Sequence, residues 1–462
     1  MLRAYRASAP LEFCIPGHRG GRDVDAEVAA LLGSGPFAAD VTQAPDIDDL
    51  LAPSGPIREA EALAATTWGA RHTHFLVNGS TGGVQAALLA CSGPGDVVAA
   101  PRASHRSVVE ALILSGATPR WVPCAVDAAF GFALPPSEGD WLRSVEPDPP
   151  RALVMTRPTY HGDIPAASLI ARLNACGTII VVDEAWGAHL GFSPRLPASA
   201  CQIGADLVVS SAHKMLTALS GAAMLHVCGN RVDDGRVAAA LRLLTTTSPW
   251  YGVLASLDGA RRQMALEGRE RVDRMVAVAL QARSDLAAVK GIAVAGARAV
   301  PGCEGFDEVR LTISAIAAGW TGFALDAHLR QTRKVQVELA DAATVVALMS
   351  PVIRPDALVE GLRALPPGPG AALEAIPVLP LPEIRMTPRE AFLAPGASVD
   401  RERAVGRVAA EVICPYPPGI PTLIPGERIT REALDALRET LSFGGRLQGC
   451  ADPRLEAVHV VA

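Results

Sequence analysis

The sequence predicts an α/β protein in which a mostly parallel sheet lies between helices, followed by a smaller α+β domain at the C-terminal end. From about residue 60, short apolar strand-like segments alternate with segments of helical period, which is typical of a parallel sheet covered on both faces. Hydrophobic residues make up 49% of the chain and charged residues 19%, a composition that supports a large buried core. Because 462 residues are too many for one simple core, we expect two domains, residues 1–305 and 306–462.

The elements of the first domain follow from local patterns in chain order. Residues 57–68 have an amphipathic helical period, and residues 79–83 form a glycine-rich turn directly before a buried helix at 84–91. Two further helices are predicted at 107–115 and 166–175. The short apolar or β-branched runs are predicted strands: 74–77, 96–100, 119–122, 153–156, 178–182, 207–210 and 222–227.

The downstream chain has a different pattern. Residues 231–295 are rich in alanine, leucine and arginine at helical spacing, and the second domain then opens with a predicted strand at 308–314 and a helix at 324–330. Residues 365–382 are rich in proline, glycine and alanine, which predicts an extended connection or surface loop. Residues 415–426 form a proline-rich turn system that is too apolar to be a solvated linker.

Composition excludes several classes of function. The formal net charge of −6 argues against a nucleic-acid surface. The nine cysteines are scattered singly, which indicates reduced thiols, and no metal site is predicted. The first 13 residues lack the apolar run of a secretory signal, and no apolar stretch approaches the ~18 residues of a membrane helix. We therefore expect a cytoplasmic protein with neither a nucleic acid nor a membrane as partner.

Two charged residues follow separate predicted strands. Asp183 ends the apolar run 178–182, and Lys214 comes shortly after the run 207–210. The carboxyl ends of strands in an open α/β sheet form its ligand crevice, so both side chains should face one site. A lysine that forms a Schiff base and an aspartate that pairs with a pyridinium nitrogen suit pyridoxal phosphate. The alternative, a helix-capping Asp183 and a surface Lys214, is equally compatible with the spacing alone.

A third segment favours the cofactor. Gly79, Ser80, Thr81 and Gly82 lie between an apolar strand and an apolar helix, where backbone N–H groups, hydroxyls and the helix start can bind a phosphate. Such a turn is weak evidence by itself, since many strand-to-helix turns contain glycine.

Other residues on the same side complete the predicted site. His105 opens a helix after a strand and could stack on a flat ring, with Ala185 on the opposite face, although a helix-capping histidine is the alternative. Ser211 and His213 precede the lysine and are predicted to contact phosphate or substrate. His161 is a further candidate that is equally compatible with a structural role.

Several motifs resemble, in the same order, those of the ornithine/lysine/arginine decarboxylase family, whose members have the aspartate aminotransferase type of fold. The similarity covers nearly the whole chain and is carried by residues 16–21 (PGHRGG), 75–83 (FLVNGSTGG), 247–249 (TSP), 255–258 (ASLD), 388–392 (PREAF) and 415–427 (PYPPGIPTLIPGE), besides the segments around Asp183 and Lys214. The chain begins almost directly with the PGHRGG segment, so it resembles the short form of the family.

The resemblance implies roles for particular residues. Lys214 would be the Schiff-base lysine, Asp183 the partner of the pyridine nitrogen, and His105 the stacking ring. Ser80, Thr81, Ser211 and His213 would hold or border the phosphate. The resemblance also implies a homodimer or higher homo-oligomer with the active site at the subunit interface.

The implied reaction is decarboxylation of arginine, lysine or ornithine to carbon dioxide and a polyamine precursor, with Lys214 or His213 returning the proton to Cα. A cationic substrate needs a carboxylate partner, for which Glu338, Asp46 and Asp49 are candidates. Each of these acids is also compatible with a solvated surface position.

The sequence departs from the family pattern in two places, and other functions stay open. Trp186 stands where compact members often have histidine, and residues 102–104 lack a frequent asparagine, which affects substrate detail more than cofactor binding. Transamination or β-elimination on the same cofactor, and a non-catalytic pyridoxal-phosphate-binding regulator, are the alternatives.

Overall fold

The computed structural model describes residues 1–8, 13–44, 47–370 and 379–462. The strands of the described chain are β1 (His72–Leu76), β2 (Val97–Pro101), β3 (Thr118–Val122), β4 (Ala152–Thr156), β5 (Asp163–Pro165), β6 (Ile179–Asp183), β7 (Leu207–Ser211), β8 (Ala223–Val227), β9 (Ala293–Ala295), β10 (Cys303–Phe306), β11 (Arg310–Ser314), β12 (Leu339–Ala340), β13 (Thr344–Leu348), β14 (Gly396–Asp400), β15 (Cys414–Tyr416), β16 (Arg446–Gln448) and β17 (Ala457–Val461).

The α-helices of the same residues are α1 (Leu2–Ala7), α2 (Ala26–Leu32), α3 (Gly35–Ala39), α4 (Pro56–Trp68), α5 (Gly79–Cys91), α6 (Arg106–Ser115), α7 (Glu138–Val145), α8 (Ala167–Ala175), α9 (Ala212–Met215), α10 (Asp234–Leu244), α11 (Tyr251–Ala287), α12 (Gly322–Arg333), α13 (Asp356–Arg363), α14 (Pro388–Leu393), α15 (Arg401–Ala404) and α16 (Arg431–Ser442). Three short 3₁₀ helices lie at Arg19–Gly21, Ala200–Gln202 and Ile316–Ala318.

A seven-stranded sheet forms the centre of the first half of the chain. Its strand order is β1-β8-β7-β6-β4-β2-β3, and only β8 runs against the others. Every residue of the central strands β6, β7 and β8 is buried, as expected for strands covered on both faces. The predicted fold class, a mostly parallel sheet between helices with a further C-terminal domain, is confirmed.

Apolar side chains pack on both faces of this sheet. On one face α5, α6 and α10 cover residues such as Val98 and Val209, and on the other face α4, α8 and α11 cover residues such as Val182 and Val208. Helix α5 lies very close to the sheet, because a Cβ added to Gly83 would be 2.7 Å from side-chain atoms of Leu76. This close approach fixes the start of α5 beside the carboxyl ends of the strands.

The glycine-rich segment at 79–83 differs from the prediction. It is the first turn of α5 rather than a separate turn, with Asn78 at the N-cap. Glycine there provides close packing against the sheet, which local sequence patterns do not distinguish from a loop. The predicted helical region 231–295 is likewise interrupted between α10 and α11, and it ends in β9.

The second half of the chain contains two further apolar cores. One lies around the four-stranded sheet β12-β13-β11-β9 with α12 and α13, and the other surrounds β14, β17 and α16. The loop predicted at 365–382 falls partly on residues 371–378, which lie outside the described residues. The domain boundary at 305 stays a prediction, since β10 pairs with β5 across it. Within the described residues, no helix has the length and apolar character needed to cross a membrane.

Candidate active site

The carboxyl ends of the central strands bring Asp183 and Lys214 to one edge of the sheet. Asp183 is the last residue of β6, and Lys214 lies in the short helix α9 that directly follows β7. The register pairs Asp183 with Val209 on β7, and it aligns Ser211 of β7 with Ala223 of β8. The two charges therefore lie on adjacent strand ends, as the sequence predicts.

Lys214 is a largely buried amine. Its Nζ lies 4.4 Å from the centre of the Trp186 ring. Burial lowers the pKa of Lys214, while the negative charges of Asp183 and Glu338 oppose that change. A lysine with a lowered pKa is more often neutral near pH 7 and is then a nucleophile.

Asp183 is a buried carboxylate, and the charge of Lys214 acts on it. Its side chain is 6% exposed, and Oδ1 accepts a hydrogen bond of 3.1 Å from the N–H of Ala185. Burial raises the pKa of Asp183, and Lys214 opposes that rise. A cationic ring N–H placed here would replace part of the lost hydration and stabilise the ionised form. Ala185 is itself 5% exposed and lies at the same strand end.

The N-terminus of α5 is open for an anion. The Asn78 side chain makes no capping hydrogen bond. The N–H of Gly79 donates to the carbonyl oxygen of Gly221 at 2.8 Å, and the N–H groups that follow in the first turn have no partner within an α-helix. Ser80 and Thr81 are partly exposed in that turn, whereas Gly82 is buried. Positive potential at a helix start and two hydroxyls suit a phosphate.

Ser211 adds an unsatisfied hydroxyl on the same side of the sheet. Its residue is fully buried, and its Oγ has no hydrogen-bond partner among the described residues. Buried hydroxyls are normally paired, so this one is suited to a ligand. His213 nearby has less freedom, because its Nδ1 lies 3.0 Å from the carbonyl oxygen of Ala222.

His105 caps the start of α6 and lies within electrostatic range of Lys214. Its Nδ1 accepts a hydrogen bond of 3.2 Å from the N–H of Ser107, which is the helix-capping contact of the alternative interpretation. Burial, Lys214 and Arg106 lower the pKa of His105 to about 3, which keeps the ring neutral. Gly419 lies against this ring, since a Cβ there would be 3.6 Å from His105 Cδ2. The proline-rich segment of the C-terminal part thus reaches the site.

The predicted substrate-binding acids have different positions. Glu338 is exposed, and its charge acts on both Lys214 and Arg310. Asp49 belongs to a local turn, where its Oδ1 accepts hydrogen bonds from Gln43 Nε2 at 2.7 Å and from the N–H of Leu51 at 2.8 Å. Asp46 lies outside the described residues.

His161 is held by structural contacts. Its Nε2 lies 3.0 Å from Asp341 Oδ2, and its ring stacks on Phe132 at 4.1 Å. These contacts join the first half of the chain to β12 and β13, which supports the structural alternative for this residue.

A buried charged cluster behind Trp186 was not anticipated from the sequence. Arg310, Asp307 and His189 are all fully buried. Arg310 donates hydrogen bonds to the carbonyl oxygens of Trp186 at 2.7 Å and Tyr160 at 3.2 Å. Its guanidinium lies 5.2 Å from the Trp186 ring centre. No local pattern marks these residues, because their partners are far away in the chain.

A second buried pair supports the strand end that carries Asp183. Glu184 accepts hydrogen bonds of 2.7 Å from Ser199 Oγ and from the N–H of Ala200, and one oxygen lies 3.6 Å from Arg157. Burial raises the pKa of Glu184 to about 7. These contacts fix the backbone beside Asp183.

Comparison with known proteins gives consistent matches over nearly the whole chain. Residues 1–324 match the family model described as Orn/Lys/Arg decarboxylase, major domain, and residues 372–451 match that of the C-terminal domain. An arginine decarboxylase of Bacillus subtilis is 34% identical, over 100% of this chain and 96% of its own length. A lysine decarboxylase of Pseudomonas aeruginosa is 27% identical, over 96% of this chain and 75% of its own.

Solved structures share the fold. The constitutive lysine decarboxylase of Escherichia coli superposes with a TM-score of 0.81 at 22% identity, covering 100% of this chain and 81% of that chain. The lysine decarboxylase of Francisella novicida superposes with a TM-score of 0.82 at 19% identity, covering 99% of this chain and 80% of that one.

Proposed function

Because the chain belongs to the Orn/Lys/Arg decarboxylase family, we propose that it removes the α-carboxylate of a basic amino acid with pyridoxal phosphate bound at Lys214. The observation that carries this proposal is the buried amine of Lys214 beside the buried carboxylate of Asp183 at one sheet edge. Arginine is the first substrate to test, since the relatives that match at 34 and 35% identity are named arginine decarboxylases.

The residues present fit this cofactor. The open start of α5 with Ser80 and Thr81, together with the unpaired hydroxyl of Ser211, would hold the phosphate. Asp183 would face the ring nitrogen, and the neutral His105 ring would lie on one face with Ala185 on the other. When bound, pyridoxal phosphate supplies an electron sink for the bond to the carboxylate.

The protein's own groups prepare the reaction. Burial lowers the pKa of Lys214, which favours the neutral amine and its lone pair. The carboxylate of Asp183 would hold a proton on the ring nitrogen of the bound cofactor. The surrounding apolar strands exclude water, which strengthens both charge interactions.

The buried arginine is not free to bind the substrate carboxylate. Arg310 directs its donors to the carbonyl oxygens of Thr159, Tyr160 and Trp186, and it is paired with Asp307. An ionic clamp on the carboxylate that leaves would stabilise the ground state more than the transition state. Because Arg310 is occupied by these contacts within the protein, it does not clamp the substrate carboxylate, which favours decarboxylation over transamination.

The exposed carboxylate of Glu338 would bind the cationic end of the substrate. Its charge already acts on Lys214 and Arg310, which places it within electrostatic range of the site. Asp46 would contribute from the partner subunit of a homodimer, whereas Asp49 accepts its hydrogen bonds within a local turn. Large exposed apolar side chains, including Leu31, Leu243 and Trp250, provide surface that such a dimer would cover. The cytoplasmic setting expected from the unpaired cysteines is part of the same proposal.

Release of carbon dioxide from separate additions of arginine, lysine and ornithine tests the function. We expect release from the preferred substrate, and a KM at least ~10-fold higher in Glu338→Gln with a smaller change in kcat. Glu360→Gln, on the exposed face of α13, is the matched control. A protein that binds the cofactor but releases no carbon dioxide from any of the three would contradict the proposal.

A further inference from the structure

The proline-rich segment of the C-terminal part (residues 415–427) lies against the start of α6. The carbonyl oxygen of Gly419 accepts a hydrogen bond of 3.1 Å from the N–H of Arg106, which is the first residue of that helix. Within the segment, the N–H of Gly419 donates to the carbonyl oxygen of Pro415 at 3.0 Å. The segment therefore supplies an acceptor to the same helix start that His105 caps.

The backbone of Gly419 comes close to the ring of His105. Its φ of +90° lies in the region that favours glycine. A Cβ at this position would be 3.6 Å from Cδ2 and 3.7 Å from Nε2 of His105, and 3.7 Å from Cδ2 of Tyr416. Glycine thus allows the backbone of the segment to lie directly beside the imidazole.

The His105 ring is held at two opposite edges. At one edge, Nδ1 accepts a hydrogen bond of 3.2 Å from the N–H of Ser107. The other edge, formed by Cδ2 and Nε2, faces Gly419. A ring that is fixed at both edges keeps its plane, which is what a stacking contact with another flat ring requires.

Arg102 fastens the proline-rich segment to the end of β2. Its own N–H donates to the carbonyl oxygen of Val122 at 2.9 Å. Its guanidinium donates to the carbonyl oxygens of Pro421 at 2.5 Å and Thr422 at 2.9 Å. The same group donates to Oε2 of the buried Glu427 at 3.1 Å. A planar guanidinium can span these acceptors together, whereas the single ammonium group of a lysine cannot.

The other contacts of the segment are apolar. Ile420 packs against the core on one face of the central sheet, and Ile424 is buried in the core on the other face. Apolar contacts hold the segment near the sheet but are not directional. The hydrogen bonds of Arg102 are directional, so they determine where Gly419 lies relative to the imidazole.

We propose that the proline-rich segment holds the His105 ring in the plane needed to stack on the bound cofactor, and that Arg102 is the positioning residue that holds the segment. Arg102 acts through Gly419 and His105, and Glu427 keeps its guanidinium oriented. This inference rests on the proposed function in assigning His105 as the stacking ring.

A double-mutant cycle on Arg102 and His105 tests the proposal without turnover. Calorimetry measures the affinity of the cofactor-free protein for 4′-deoxypyridoxine 5′-phosphate, which lacks the aldehyde and binds without a covalent bond. Arg102→Lys keeps a positive charge beside Glu427 but loses the fork, and His105→Asn keeps a capping side chain but loses the ring. Each single variant should bind about 5-fold more weakly, and the double variant should bind no more weakly than His105→Asn alone.

The matched control is the same substitution at another arginine that donates to a backbone carbonyl. Arg407 is exposed and donates to the carbonyl oxygen of Val461 at 3.0 Å, so Arg407→Lys should bind the analogue as the wild type does.

Two further measurements separate positioning from a merely structural role. The circular dichroism of the bound cofactor near ~420 nm reports the surroundings of its ring, and it should fall in Arg102→Lys and in His105→Asn but no further in the double variant. Added guanidinium ion should restore analogue binding to Arg102→Ala, but not to Arg102→Ala combined with His105→Asn. Should Arg102→Lys fail to fold, Glu427→Gln weakens the same contact, keeps the guanidinium and completes the cycle.

The outcomes distinguish this inference from the proposed function. Wild-type affinity in Arg102→Lys would overturn the inference, as would equal losses of affinity with and without the His105 ring. A wild-type protein that binds neither pyridoxal phosphate nor the analogue would overturn the proposed function and this inference with it.

Discussion

Replacement of Arg310 by methionine is expected to destabilise the protein strongly. The guanidinium is fully buried, pairs with Asp307 at 3.1 Å and donates to three backbone carbonyls. Methionine fills similar volume but leaves the Asp307 carboxylate buried with less compensation. Breaking a buried ion pair from one side costs about 3–5 kcal/mol, so we expect a loss of that size in the free energy of unfolding.

Chemical denaturation of the cofactor-free protein, followed by far-ultraviolet circular dichroism at fixed protein concentration, measures this change. Arg363→Met is the control, because Arg363 forms a half-exposed ion pair of 3.3 Å with Asp285 and should cost less than about 1 kcal/mol. Adding Asp307→Asn to Arg310→Met should recover part of the loss, since the unpaired charge is then gone. The reasoning fails if Arg310→Met costs no more than Arg363→Met.

Three further predictions follow from other parts of the structure. Asp183→Asn should still capture the cofactor but release carbon dioxide at least ~100-fold more slowly, because the ring nitrogen loses its ionised partner; an unchanged rate would exclude that role. Burial, and secondly the charge of His74, lower the pKa of His226 from 6.5 to about 3. Between these two pH values the unfolded chain binds a proton at His226 and the folded protein does not, so the free energy of unfolding falls as the pH falls from 6.5 toward 3. His226→Gln should therefore show a shallower fall in denaturation midpoint over that range, and a parallel fall would refute this. Gly83→Ala should lower the free energy of unfolding by about 1–3 kcal/mol, because its Cβ would lie 2.7 Å from Val209. Gly259→Ala is the control, and it should raise the free energy of unfolding by about 0.5–1 kcal/mol because nothing lies within 4 Å of its Cβ. Equal free energies of unfolding for the two variants would contradict the packing argument.

The fold and the central pair were predictable because local patterns determine them. The apolar runs before Asp183 and before Lys214 mark central strands, and residues at the ends of such strands share one edge of the sheet. The family match adds the order of motifs along the chain. The placement of Ser211 and His105 beside this edge follows from the same reasoning.

The rest of the site depends on tertiary packing. His189 and Asp307 meet although they are 118 residues apart, and Arg310 reaches Trp186 from a different sheet. Asp49 is a sequence candidate for binding the substrate cation, but in the structure it closes a local turn. The glycines at 79–83 were interpreted as a turn because close helix-to-sheet packing has no local pattern of its own.

The absorbance of the purified protein with pyridoxal phosphate, compared between the wild type and Lys214→Ala, tests the central claim most directly. The chain has three lysines, so Lys290→Ala is a matched control on the surface. We predict a band near ~420 nm in the wild type and in Lys290→Ala that is missing from Lys214→Ala, with carbon dioxide released from arginine only by the first two. A band that persists in Lys214→Ala, or no band in any of the three proteins, would contradict the assignment of Lys214 and the account built on it.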